Sequence, residues 1–252
     1  MYDYWLGGKD NFAADREAAE RSALAVPQLP WLARQNRGFL GRAVRFCAGA
    51  GITQFLDIGS GLPTMDNVHE VAEKVTADPH VIYADNDPVV VSHGQAMLAS
   101  PRTAAIHGDL TRPDEILGAA DVRRLIDFTH PVAILLVAVL HFVPDEAGAA
   151  AHVARLREVM APGSYLVISH VMMAPAHVAD GQLSETAREL GEARRGMSQT
   201  ASRNREEIAA FFGDMTLVEP GLTEAWSWRP DGELVAAGSD VMTLLAGVAR
   251  KG

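Results

Sequence analysis

Short apolar runs alternate with longer amphipathic stretches from about residue 50 onward. The runs 54–58, 81–84, 103–106, 132–139 and 165–169 read as strands. Between them, 66–75, 88–98 and 147–160 place apolar residues at helical spacing and predict helices. A strand that is apolar at successive positions is one covered on both faces, so the pattern predicts a parallel sheet between helices. Right-handed crossovers then give a doubly wound α/β fold.

The ends of the chain break this alternation. Residues 1–50 read as helical, with Phe39, Leu40, Ala43, Val44 and Phe46 in an apolar period. Residues 180–212 predict two polar helices, 183–195 and 205–212, and Asn204 with Glu207 has the spacing of a capping box. The stretches 215–218 and 241–248 return to strand character and predict a hairpin closing the sheet edge. No period of 20–50 residues recurs, which excludes solenoids and propellers. The expected organisation is one domain over 1–252, with a helical N-terminal cap (1–50), a ligand-binding core (51–170), a helical cap or insert (171–214) and a closing hairpin (215–252).

Composition narrows the partners. The 252 residues are 48% hydrophobic and 21% charged, ordinary for a globular protein. A net charge of −10 repels phosphate backbones and counts against a nucleic-acid partner. The single cysteine, Cys47, excludes an internal disulfide and suits a reducing cytoplasm. The first ten residues lack a basic start and an apolar run, so a signal peptide is not expected. The longest apolar stretch, 132–140, is too short to cross a bilayer. A soluble cytoplasmic protein without a membrane partner is the expectation.

The segment Phe55-Leu56-Asp57-Ile58-Gly59-Ser60-Gly61 ends a strand in Gly-x-Gly. Such a turn brings backbone close to a nucleotide-like ligand at the strand's carboxyl end, and also serves as a plain tight turn. The third glycine of a dinucleotide fingerprint is absent, because Thr64 holds its place. That favours a nucleoside without pyrophosphate over a nicotinamide or flavin. Asp57 either anchors a cationic group beside the ligand or hydrogen-bonds loop amides. Asp85 follows the second strand, where an acid accepts from both ribose hydroxyls. Asp87-Pro88 has the form of a helix start. After the third strand comes Gly108-Asp109-Leu110, where a carboxylate can take an adenine amine or simply make a turn.

Three acids after three successive strands resemble the pattern of class I S-adenosylmethionine-dependent methyltransferases. More closely, the chain resembles the actinobacterial S-adenosyl methyltransferase family, formerly a domain of unknown function. The resemblance rests on Tyr2-Asp3-Tyr4-Trp5-Leu6-Gly7-Gly8-Lys9-Asp10-Asn11-Phe12, the loop from Phe55 to Thr64, Asn67-Val68-His69-Glu70-Val71-Ala72 and Tyr83 to Pro88. Leu140-His141-Phe142, Pro162-Gly163-Ser164-Tyr165-Leu166, Ser169-His170 and Trp228-Arg229-Pro230 extend it along nearly the whole chain. Relatives usually carry residues upstream of the opening segment, so part of a lid is expected to be missing or shorter here. The resemblance implies a Rossmann-like class I methyltransferase fold, a seven-stranded mostly parallel sheet with helices on both faces and its last strand antiparallel. It implies S-adenosyl-L-methionine as cofactor and a small-molecule acceptor, in secondary metabolism. Gly59, Ser60 and Gly61 would face the methionine part, Asp85 the ribose, Asp109 and Leu110 the adenine, and Asn86 the side of its ring.

Methyl transfer from a sulfonium mainly requires alignment and exclusion of water. His141 and His170 follow the fourth and fifth strands, so each is a candidate base or a structural hydrogen bonder. No His-x-x-x-His pair occurs, and a metal is not expected. The opening segment either folds over the cofactor, with Tyr4, Gly8 and Asn11 as contacts, or packs as a helical arm. Arg203, Arg205 and Arg229 suit an acidic acceptor or a solvated face. Met172-Met173 would line an acceptor pocket or fill core. Two other classes compete: a sensor that binds the cofactor or its demethylated product, and a nicotinamide oxidoreductase.

Overall fold

The apolar runs of the sequence become strands because each finds a hydrophobic layer above and below it. The structure is a computed structural model and describes residues 1–63, 66–173, 201–232 and 242–252. The helix expected over 183–195 lies outside the described residues, as does Thr64. The strands are β1 Gln54–Ile58, β2 His80–Asp85, β3 Thr103–His107, β4 Ala133–Val137, β5 Tyr165–Met173, β6 Thr216–Leu217, β7 Thr223–Glu224 and β8 Met242–Arg250. They form one sheet in the order β3-β2-β1-β4-β5-β8-β6, with β7 also paired to β8.

β1 to β5 are parallel, and β8 runs antiparallel to β5, β6 and β7. The expected closing pair is present, Thr216 opposite Arg250 and Leu217 opposite Ala249. The sheet has eight strands among the described residues rather than seven, because β8 is long enough to take β6 and β7 in succession.

The helices are α1 Tyr2–Trp5, α2 Ala13–Ala25, α3 Leu29–Gly49, α4 Val68–Glu73, α5 Pro88–Met97, α6 Pro113–Gly118, α7 Ala120–Leu125, α8 Ala149–Val159 and α9 Arg205–Ala210. Residues of alternate parity along each strand face different layers. Leu56, Ile82, Ile134, Leu166 and Leu245 meet α6 to α9 through Ile116, Val122, Leu156 and Ile208. Phe55, Val81, Leu135, Val167 and Leu244 meet α3 and α4 through Phe39, Ala43, Val44 and Val71. Trp228 is fully buried in this second layer and makes edge contacts with Phe39 and Phe46.

Local chemistry sets the helix starts. Asp87 accepts from the Val89 N–H at 2.8 Å, with Pro88 in the first turn. Asn204 and Glu207 form the predicted reciprocal pair, at 2.9 and 2.7 Å, and start α9. Because β1 to β5 are parallel, their carboxyl ends form one edge. Asp85, Asp109 and His141 fall on or just beyond it, and Asp57 is the last but one residue of β1. His170, expected after the fifth strand, lies inside β5, which runs on to Met173.

Candidate active site at the carboxyl edge of the sheet

The glycine loop leaves β1 with Gly59 at φ +75° and Gly61 at φ +67°, the left-handed region that favours glycine. A Cβ on Gly59 would come within 2.7 Å of Val139 Cβ, so glycine lets the loop lie against the chain emerging from β4. Nothing lies within 4 Å of the same position on Gly61, which leaves room for a ligand to approach the backbone. The half-buried Asp85 carboxylate ties this loop to the end of β2. It accepts from the Gly61 N–H at 2.9 Å and from the Asp87 N–H at 3.0 Å. Ser60, Gly61, Tyr83, Asp85, Val91 and Ile106 line a shallow depression there.

The other predicted contacts differ in setting. Asn86 is exposed beside Asp85. Asp109 accepts from the Thr111 N–H at 2.9 Å and the Thr111 hydroxyl at 2.8 Å, which fixes one carboxylate oxygen in its own turn. Leu110 is buried in the core. Asp57 is buried on the face shared with Phe55, turned toward α3. Burial pushes its carboxyl up to about 7, opposed by the Arg37 charge and reinforced by Asp85.

Beyond β4 the backbone is unusual. Ala138 has φ +56°, a region an alanine seldom occupies, and its N–H donates to the Ser169 hydroxyl at 2.9 Å. His141 follows, buried, with its Nδ1 unpaired among the described residues. Burial, with His170 and Arg203 nearby, pushes it down to about 3. The His170 ring stands 5.5 Å from that of His141.

His170 was expected as a candidate base, but both its nitrogens are engaged. Nδ1 donates to the Val171 carbonyl at 2.6 Å, and Nε2 accepts from Arg203 Nη1 at 3.0 Å. Burial holds it at about 4, so both rings are neutral near pH 7. Arg203 is itself buried rather than solvated. It donates to the Leu140 and Val143 carbonyls at 2.8 and 2.7 Å and to Asp145 at 2.7 Å. Arg205 donates to the Leu222 carbonyl and Arg229 stacks 4.3 Å over Phe46, and both are exposed.

The opening segment folds back onto α3. Tyr2 donates to the Ala33 carbonyl at 3.0 Å and accepts from Asn36 at 2.9 Å. Asn36 in turn accepts from the Ser169 hydroxyl at 2.6 Å. A continuous chain of hydrogen bonds thus runs from α1 through the middle of β5 to the end of β4. Of the residues picked out in this segment, Tyr4 donates to Glu20 at 2.9 Å on the surface. Both amide hydrogens of Asn11 are used, toward Asp3 at 2.7 Å and the Gly8 carbonyl at 2.9 Å. Asp3, which the sequence pattern did not single out, is the buried acid of the arm.

This strand order, with one antiparallel strand and a glycine-and-acid edge, defines a class I methyltransferase. A family model of S-adenosyl methyltransferases matches residues 1–252, and the chain belongs to that family. It is a methyltransferase that uses S-adenosylmethionine. It is 42% identical to a candidate methyltransferase from Thermobifida fusca, over 99% of this chain and 92% of that one, with a TM-score of 0.87. A DUF574 family protein from Streptomyces avermitilis is 39% identical over 100% and 95%, again with a TM-score of 0.87. The N-methyltransferase NodS of Bradyrhizobium japonicum shares the fold at 13% identity, with a TM-score of 0.51 over 86% and 96%. A further NodS structure holds S-adenosyl-L-homocysteine. No curated protein matches the chain. Among the described residues no helix is long and apolar enough to cross a membrane.

Proposed function

We propose that the protein methylates a small-molecule acceptor, an intermediate of secondary metabolism in the cytoplasm, with the cofactor laid across the carboxyl ends of β1 to β3. The observation that carries this is the joining of Gly61 to Asp85 at 2.9 Å, which makes the glycine loop and the β2 acid one ledge. The residues present fit the cofactor: open space over Gly61, carboxylates at Asp85 and Asp109, and no third glycine to favour a pyrophosphate.

When bound, S-adenosylmethionine supplies an electrophilic methyl group. On this reading Gly59, Ser60 and Gly61 admit the methionine end, Asp85 accepts from the ribose hydroxyls, and Asp109, Leu110 and Asn86 surround the adenine. Tyr4, Gly8 and Asn11 serve by shaping the arm. His141 meets the acceptor through its unpaired Nδ1 and orients it by a hydrogen bond; a ring held near 3 is a weak base at neutral pH. His170 acts behind it, fixed by Arg203. Water leaves as the acceptor is enclosed, and alignment supplies most of the rate.

The test is calorimetry with S-adenosylmethionine and NADH, followed by mass spectrometry of a metabolite extract incubated with methyl-labelled cofactor. Tight binding of S-adenosylmethionine and transfer of label to a low-mass acceptor are expected. Preference for NADH would refute the site, and binding without any labelled acceptor would make the protein a sensor.

A further inference from the structure

The opening arm carries one acid whose chemistry its surroundings leave unfinished. Asp3 is 4% exposed, and its Oδ1 has no hydrogen-bond partner among the described residues. Its Oδ2 accepts from Asn11 at 2.7 Å, so the carboxylate is held in place from one side only. Oδ1 lies directly over Gly8, where any Cβ would collide with it. An unpaired buried carboxylate oxygen is costly and calls for a donor that the described residues do not provide.

The arm's position indicates where that donor comes from. The hydrogen bonds from Tyr2 through Asn36 and Ser169 to Ala138 fasten α1 to the carboxyl edge. The Arg37 charge acts on both Tyr2 and Asp57, so α1, α3 and the strand that feeds the glycine loop converge. The cofactor has two cationic centres, an α-ammonium and a sulfonium, and only the ammonium has N–H groups to donate.

We propose that Asp3 is the counter-ion for the α-ammonium group of the amino-acid end of S-adenosylmethionine. This deepens the cofactor site proposed above and rests on it. The arm then reads whether the ligand carries an amino acid at all.

The experiment compares wild type, Asp3→Asn and Asn11→Ala by calorimetry with three ligands. S-adenosylmethionine has ammonium and sulfonium, S-adenosylhomocysteine has the ammonium alone, and 5′-methylthioadenosine has neither. Asp3→Asn is expected to weaken the first two by roughly ten- to a hundredfold, the range for a hydrogen bond to a charged group, and to leave the third unchanged. Asn11→Ala, which removes the donor that steadies Asp3, should give the same pattern with a smaller loss. Weakening of S-adenosylmethionine alone would assign Asp3 to the sulfonium and overturn the proposal. So would no change in any ligand, or equal loss of all three, the mark of a folding role. A wild-type protein that binds none of the three would overturn the cofactor site, and this inference with it.

Discussion

Replacing Asp57 by Asn removes a buried charge while keeping the shape of the side chain, and its consequence depends on pH in a definite direction. Burial raises the Asp57 carboxyl from an ordinary 3.8 to about 7, with Arg37 of α3 opposing and Asp85 reinforcing the shift. In the unfolded chain the group is ionised above about 4, as for a free aspartate. Between these values the folded state holds a proton that the unfolded state has lost, so rising pH removes stability. Three units at about 1.4 kcal/mol each make this about 4 kcal/mol by pH 8, an upper figure because water can reach the site as it ionises.

His141 and His170 act in the opposite sense. Held at about 3 and about 4, they are neutral when folded but charge in the unfolded chain below about 6.5, so they add stability as pH rises to that point. Wild-type stability alone therefore mixes the two effects. Urea unfolding of wild type and Asp57→Asn from pH 4 to pH 8, extrapolated to water, cancels the histidines by subtraction. The variant should gain on wild type steadily as pH rises, by up to about 4 kcal/mol. A difference that stays flat, or shrinks with pH, refutes a neutral buried Asp57.

The two glycines should behave differently. Gly59→Ala, which drives a Cβ against Val139, should cost about 3 kcal/mol and lower the thermal midpoint by roughly 6–12 °C, whereas Gly61→Ala, with open space, should cost about 1 kcal/mol. Arg203→Met should destabilise by about 2–4 kcal/mol in denaturant, because it leaves the Leu140 and Val143 carbonyls without their donor, while the exposed Asp145 carboxylate turns to water. Arg203→Lys should recover little, since an ammonium does not span the same fork of acceptors. Asp85→Ala should weaken S-adenosylmethionine by about 1–3 kcal/mol in calorimetry, and an unchanged affinity would remove Asp85 from the ribose site.

The central strands were legible because continuous apolar runs leave few alternatives; the bounds of β1 fall at Gln54 and Ile58 in sequence and structure alike. The starts of α5 and α9 were legible because capping is local chemistry, settled within three residues. The helices α6 and α7 were not, since each has six residues and their core contributions are Ile116, Val122 and Leu125, too few to show a period. β7 is two residues, Thr223–Glu224, and exists because β8 offers it an edge. Arg203 reads as a surface residue from its type alone. Its partners lie 33 to 63 positions away, and only the fold brings them around it. Asp3 looks like Asp10 or Asp15 in sequence; packing against Gly8 and the hydrogen bond from Asn11 set it apart.

Among the described residues, several local violations of ordinary packing rules gather on one side of the molecule, while Asp78 at φ +50° and Arg229 at φ +46° lie elsewhere. Ala138 in a left-handed conformation, Asp57 buried near neutrality, the unpaired His141 Nδ1 and the unpaired Asp3 Oδ1 all belong to the carboxyl edge or to the arm fastened there. Thr243, another unpaired group, sits opposite Met172 in the same half of β5. The remaining two lie near the strand starts: Arg157 beside the β8 terminus and Trp228 over the Phe46 that meets Tyr165. A sheet optimised for stability alone has no reason to keep Ala138 in a left-handed conformation close to an unpaired His141. One that must receive a charged nucleoside and its acceptor does, because groups positioned for a ligand cannot also be satisfied by the protein. The unpaired atoms of Asp3 and His141 are therefore the ones to test for partners that arrive from solution.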